Sequence, residues 1–152
     1  LDITGTLPTA EVAKAFLADK ATDKREKLVD KLLETPEYSF FFANKWADVL
    51  RVKRRGQPER AAGTLAFHTW IRDAVSNDVP FDQFAREIIC ATGDEAKSPP
   101  TVWYKEVATP EQFVDDLSQV FLGQRLACAN CHHHPYEKWS QDDYWGLAAF
   151  FG

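Results

Sequence analysis

Apolar positions recur along this chain at intervals of three and four, the period of an amphipathic helix, and nowhere alternate with the period of two that marks a half-buried strand. Pro8 and Thr9 open a first short helix in which Val12, Phe16 and Leu17 share a face. Thr22 and Asp23 offer caps for a second, striped by Leu28, Val29, Leu32 and Leu33. Pro36 begins a third, with Tyr38, Phe42, Trp46 and Val49 at helical spacing. A fourth is predicted from about Ala62 to Asn77, with Phe67, Trp70, Ile71 and Ala74 on one side. Asp78 and Pro80 start a fifth, lined by Phe81, Phe84, Ala85 and Ile88 and stopped by Gly93. The polar stretch from Asp94 to Pro100 reads as a loop. Thr109-Pro110-Glu111 then starts a helix that carries Phe113, Leu117, Val120 and Phe121 toward Cys128. Ser140 and Asp143 resemble a capping pair for a last helix bearing Tyr144, Leu147, Ala148 and Phe151. The pattern predicts an all-α fold, a single bundle-like domain of six or seven helices over residues 1–152.

Composition fits this picture and narrows it. With 152 residues, 45% apolar and 27% charged, the chain can bury one core of ordinary size. A net charge of −5 excludes nucleic-acid binding by bulk electrostatics, and no apolar run approaches the roughly 20 residues that span a bilayer. Eleven Phe, five Trp and four Tyr are a heavy aromatic supply, enough for a core or for the walls of a cofactor pocket. There is no Met, which leads us to expect a processed product or a piece excised from a larger exported protein. Of the three Cys, two lie three positions apart, and an odd count with that spacing fits a bound group better than a disulfide framework.

Those two cysteines carry the chemistry. Cys128-Ala129-Asn130-Cys131-His132 has the C-x-x-C-H spacing of covalent haem attachment. Two thiols add across the two vinyl groups of a porphyrin edge, two intervening residues set their separation, and the adjacent imidazole falls under the iron as proximal ligand. Zinc or copper bound by Cys128, Cys131 and a histidine is an alternative, as is a redox dithiol. Without Met, His/Met ligation cannot form within the chain.

His68, which shares a predicted face with Leu65, Ile71 and Val75, is the candidate second iron ligand; otherwise it is a satisfied histidine at the edge of the core. His134 is expected to hydrogen-bond a backbone group, or a partner that supports the metal ligands, beside the rigid Pro135, and His133 to be exposed. Tyr136, Trp139, Tyr144, Trp145, Phe150 and Phe151 are expected to wall a haem pocket or to serve as ordinary core. The basic run Arg51, Lys53, Arg54, Arg55 and Arg60 reads as a solvated helix end, or as a holder of haem propionates or of an acidic partner. Cys90 is expected to be a small buried hydrophobe.

Several stretches are shared with a known family. Phe121-Leu122-Gly123, Cys128-x-x-Cys131-His132-x-His134-Pro135-Tyr136, Trp139 and Asp143-Tyr144-Trp145-Gly146-Leu147-Ala148-Ala149-Phe150-Phe151 resemble the planctomycete cytochrome c-associated domain of unknown function. Asp2-Ile3-Thr4-Gly5 with Leu7-Pro8-Thr9 resembles that domain's opening, and Val79 to Glu87 its central motif. The resemblance implies an exported bacterial origin and carries Cys128, Cys131 and His132 over as haem attachment and proximal ligand. It supplies no reaction.

The function expected is therefore one-electron transfer by a c-type cytochrome domain carrying one covalent haem c, in the periplasm or at the cell surface. Its partners would be a redox protein or neighbouring domains of the parent chain, with no nucleic acid and no membrane span. The alternatives are an open-site haem domain for small-ligand binding or peroxide chemistry, and a zinc- or copper-stapled interaction domain.

Overall fold

Hydroxyl and proline punctuation decides where the helices begin. Thr9 accepts a hydrogen bond from the Val12 N–H (3.4 Å) at the head of α1 (Ala10–Ala18), and Thr109 one from Gln112 N–H (3.3 Å) at the head of α6 (Pro110–Phe121). Ser140 and Asp143 close a reciprocal capping box on α7 (Gln141–Ala148). Between them lie α2 (Lys24–Leu33), α3 (Pro36–Val49), α4 (Ala61–Ser76) and α5 (Phe81–Ile89). Short 3₁₀ segments fill the joints at Pro99–Lys105, Leu126–Asn130 and Ala149–Phe151. The structure, a computed structural model, describes residues 1–53 and 60–152. It is all-helical among them, as predicted. Arg54 and Arg55 of the basic run lie outside the described residues.

α3 and α4 make the most extensive helix contact, and small side chains allow it. The buried face of α3 is Ser39, Ala43 and Ala47, continued by Leu50, while Tyr38, Phe42 and Trp46 flank it; Val49, predicted inward, is exposed. The stripe is rotated so that these small side chains of α3 meet the buried face of α4, which carries the larger Phe67 and Ile71 with Ala74. Both helices end in a Schellman turn. Val52 N–H reaches Ala47 O (2.8 Å) after Arg51 (φ 56°), and Val79 N–H reaches Ala74 O (3.0 Å) after Asp78 (φ 50°).

The main core gathers Phe67, Ile71, Phe84, Ile88, Val102, Trp103, Val107, Phe113 and Leu117. Trp103, from the Pro99–Lys105 segment, is enclosed edge-on by Tyr104, Phe113 and Phe121. A smaller cluster of Val114, Leu126, Ala129, Tyr144 and Ala148 joins α6, α7 and the Leu126–Asn130 turn. α6 thus faces both cores and couples them. α5 ends at Ile89, earlier than predicted, with Gly93 in the loop beyond. α1 and α2 bury no residue, so the stripes read from Val12 to Leu33 are not core.

Two glycines predict opposite responses to an added methyl group. Gly5 has φ +70°, and a Cβ there would meet the Phe41 ring at 2.5 Å. Gly5→Ala should therefore cost about 1–3 kcal/mol in urea unfolding, from left-handed strain and overpacking. Gly146, inside α7, has open space around a Cβ. Gly146→Ala should gain about 0.5–1 kcal/mol from helix propensity. Equal effects of the two substitutions would contradict this placement.

Candidate functional site

The Leu126–Asn130 turn is anchored by its apolar residues and carries Cys128, with Cys131 directly after it. Leu126 and Ala129 are buried in the smaller cluster, Cys128 is half-buried and Cys131 is exposed; both thiols are free. Asn130, between the cysteines, is held from several sides. Its carbonyl oxygen accepts from Gln141 Nε2 (2.9 Å) and Trp145 Nε1 (3.1 Å), and its side-chain Nδ2 donates to the Tyr144 hydroxyl (3.3 Å). That hydroxyl shares its proton between Glu111 O and Asp115 Oδ1, each at 3.2 Å, which ties the turn to α6.

Three consecutive histidines follow with three different roles. His132 is exposed, and its Nδ1 lies 2.6 Å from His133 O. A carbonyl only accepts, so Nδ1 carries the proton and Nε2 is left with a bare lone pair, the form in which imidazole binds a metal. His133, exposed as expected, accepts from Gln141 N–H (3.2 Å) at the start of α7. His134 uses both ring nitrogens on the backbone, as expected. Its Nδ1 accepts from Glu137 N–H (2.9 Å) and Tyr136 N–H (3.3 Å), and its Nε2 donates to Arg125 O (3.2 Å).

His68 lies elsewhere in the fold. It is half-buried on α4, with Nε2 2.8 Å from Asn44 Oδ1 of α3. Leu65, predicted to share its inward face, is 67% exposed. Among the described residues no three His, Cys, Asp or Glu side chains are gathered to hold a metal ion. The aromatic residues expected around a haem divide. Tyr144 is core, Phe151 stacks on Phe113, and Trp139 donates to Gln124 Oε1 (2.7 Å). Tyr136 and Phe150 are 91% and 84% exposed, and Trp145, partly exposed, lies against the turn through Asn130. Two apolar grooves, of about 550 Å³ between α3 and α6 and about 530 Å³ beside Cys90 and Phe151, do not include the cysteine pair.

The donor set nonetheless fits covalent haem. Two free thiols are separated by two residues, the next residue offers an imidazole nitrogen, and Cys131 and His132 are exposed while Cys128 is half-buried.

Two expectations are corrected. Cys90 caps the end of α5 and is exposed rather than buried, because the helix stops one residue before it. The basic run is more than a solvated helix end: Arg51, exposed just past α3, and Arg60 each hold an acidic side chain of this chain. Arg51 pairs with the buried Asp116 of α6 (2.6 Å), and Arg60 with the enclosed carboxylate of Glu106 (2.8 Å). Sequence reading missed both acidic partners, although Asp115-Asp116 in the middle of the Phe113–Leu117 stripe was a visible signal.

Burial dominates the electrostatics beneath the turn. It pushes Asp115 and Asp116 above the ordinary aspartate range, outweighing the Tyr144 hydrogen bond on one and the Arg51 guanidinium on the other. Burial, reinforced by the charge of Asp115, pushes the Tyr144 hydroxyl up to about 12. A raised folded-state value holds the proton more tightly than the unfolded chain does. Tyr144 therefore contributes stability that is intact below pH 10 and is lost as pH climbs from 10 to about 12. At about 1.4 kcal/mol per tenfold, the loss is roughly 2–3 kcal/mol. Urea unfolding across that range should show the decline, and Tyr144→Phe should flatten it. The two aspartates act in the acid range with the same sign, so their part is present below the ordinary aspartate range and is lost as pH rises through their raised values.

Fold and site together define a class: an all-α domain that displays a tethered cysteine and histidine loop. A family model described as PSCyt2, protein of unknown function (DUF1549), matches residues 1–152, and the chain belongs to that family. No curated protein and no solved structure matches it. No helix among the described residues is long and apolar enough to cross a membrane.

Proposed function

We propose that this is a c-type haem domain serving one-electron transfer in an exported, cytochrome-associated protein of the planctomycete kind. The observation that carries the reading is the state of the loop: free thiols at Cys128 and Cys131, and His132 with Nδ1–H on His133 O and Nε2 bare. Each thiol would add across one vinyl group, its sulfur forming the thioether bond and its hydrogen passing to the neighbouring vinyl carbon. His132 would supply an imidazole nitrogen to the iron. Haem, when bound, supplies a one-electron iron couple. Trp145 and the Asn130 amide hold the turn rigid beneath the attachment point, and the exposure of the loop gives a redox partner or neighbouring domain access to the group's edge. Nitrogen or open ligation in place of His/Met favours a lower potential. Attachment needs reduced thiols and an export route, which places the domain in the periplasm or at the cell surface.

The test is intact mass under denaturing conditions, with an absorption spectrum, for protein made in a host that attaches haem c. A mass increased by one haem together with a Soret band is the expected result. Unmodified mass from such a host would sink the proposal, and zinc in the same sample would favour a metal-stapled domain. Binding of carbon monoxide to the reduced protein would favour small-ligand chemistry over electron transfer.

A further inference from the structure

We propose that His134 is the positioning residue of the loop, a clamp that sets where His132 stands and does not itself bind a metal. As regards haem this rests on the reading above; the clamp itself does not. The hydrogen-bond pattern assigns the ring completely. Backbone N–H groups of Tyr136 and Glu137 can only donate, so Nδ1 holds the lone pair, and Arg125 O can only accept, so Nε2 holds the proton. Neither nitrogen remains for a ligand.

The groups joined by that ring are far apart in sequence. Arg125 precedes the Leu126–Asn130 turn, whereas Tyr136 and Glu137 lie beyond the cysteine pair. The backbone closes the same loop, since His134 N–H donates to Trp139 O (2.9 Å). Pro135 has no N–H, so the two donors that enter Nδ1 come from the next residues, a local turn built on a side chain. On the other side Asn130 is fixed by Gln141 and Trp145. Only Cys131, His132 and His133 span the arc between these two anchors. Their short length leaves His132 little freedom, and the Nδ1–H bond to His133 O is made within the arc itself. A clamp of this kind organises the imidazole before any cofactor arrives.

The experiment is amide exchange and imidazole ¹⁵N NMR on the 152-residue chain without haem, for wild type, His134→Phe and His134→Asn. In wild type, His134 should show a proton on Nε2 and His132 a proton on Nδ1. His134→Phe removes both functions of the ring. Exchange at Tyr136 and Glu137 should then accelerate about tenfold, and the His132 signals should average between tautomers, while amides of α3 and α4 keep their protection. Asn places an oxygen where Nδ1 stood, so His134→Asn should restore most of the protection at Glu137. The opposite tautomer of His134 in wild type overturns the proposal and needs no variant. So does a Phe variant with unchanged exchange and an unchanged His132 signature. If the clamp behaves as expected but wild type never acquires haem, the haem reading fails and the clamp stands.

Discussion

Replacing Trp103 by alanine should cost about 3–5 kcal/mol, a large share of the 5–15 kcal/mol that holds a domain of this size. The side chain is 1% exposed and meets Tyr104, Phe113 and Phe121 at 5.6–6.0 Å between ring centroids, all nearly perpendicular. Removing it leaves a cavity that Phe113 cannot fill without abandoning its stack on Phe151 (5.0 Å, 8°). Because α6 carries Phe113 into one core and Val114 into the other, the loss should spread to the cysteine turn and lower a single cooperative transition. Urea unfolding followed by circular dichroism and by tryptophan fluorescence checks this. Tyr136→Ala, at a site 91% exposed, should stay within about 0.5 kcal/mol of wild type. A cost below about 1 kcal/mol for Trp103→Ala would mean that the Pro99–Lys105 segment does not hold the centre of the core.

That segment also marks where the sequence stopped being readable. Helix existence and starts were legible because caps and prolines act locally: Thr9, Pro36, Thr109 and the Ser140–Asp143 box all stand where their chemistry predicts. A 3₁₀ segment of seven residues has too few turns to show a period, so Pro99–Lys105, which starts inside the stretch read as a loop to Pro100 and runs on through residues given no element, went unread although it delivers Trp103. Burial was less legible than helicity. The stripes of α1 and α2 have helical period but bury no residue, and α3 turns its small residues inward against α4.

The site divides the same way. C-x-x-C-H is contiguous, so its spacing is visible in one line of sequence, and so was the backbone role of His134 next to Pro135. The supports are not contiguous. Tyr144 reaching Asp115 over 29 positions, and Arg51 reaching Asp116 over 65, depend on how helices meet. No local pattern specifies such pairs.

If the domain carries haem c as proposed, Cys128→Ala combined with Cys131→Ala should abolish its covalent attachment altogether, the largest functional effect expected of any change in this chain. Each thioether needs its own sulfur, so either single variant should retain at most one covalent link and a reduced yield. The denatured mass and the pyridine haemochrome spectrum, which differs between one and two thioethers, distinguish these cases. His132→Ala leaves both sulfurs in place but removes the bare Nε2, so haem that still attaches should show a shifted Soret band and altered binding of imidazole added to the buffer. His68→Ala is the informative contrast. Its Nε2 is engaged by Asn44 at 2.8 Å, so the spectrum should be unchanged and the effect confined to a small loss of stability at the α3–α4 seam. If instead His68→Ala converts the spectrum while His132→Ala does not, the axial ligand is on α4, and the loop's part is attachment alone. If zinc binds wild type stoichiometrically and both cysteine variants lose it, the thiols serve a metal ion and not a vinyl edge. A structural zinc ion needs four donors turned toward one point, and among the described residues no three His, Cys, Asp or Glu side chains are gathered in that way.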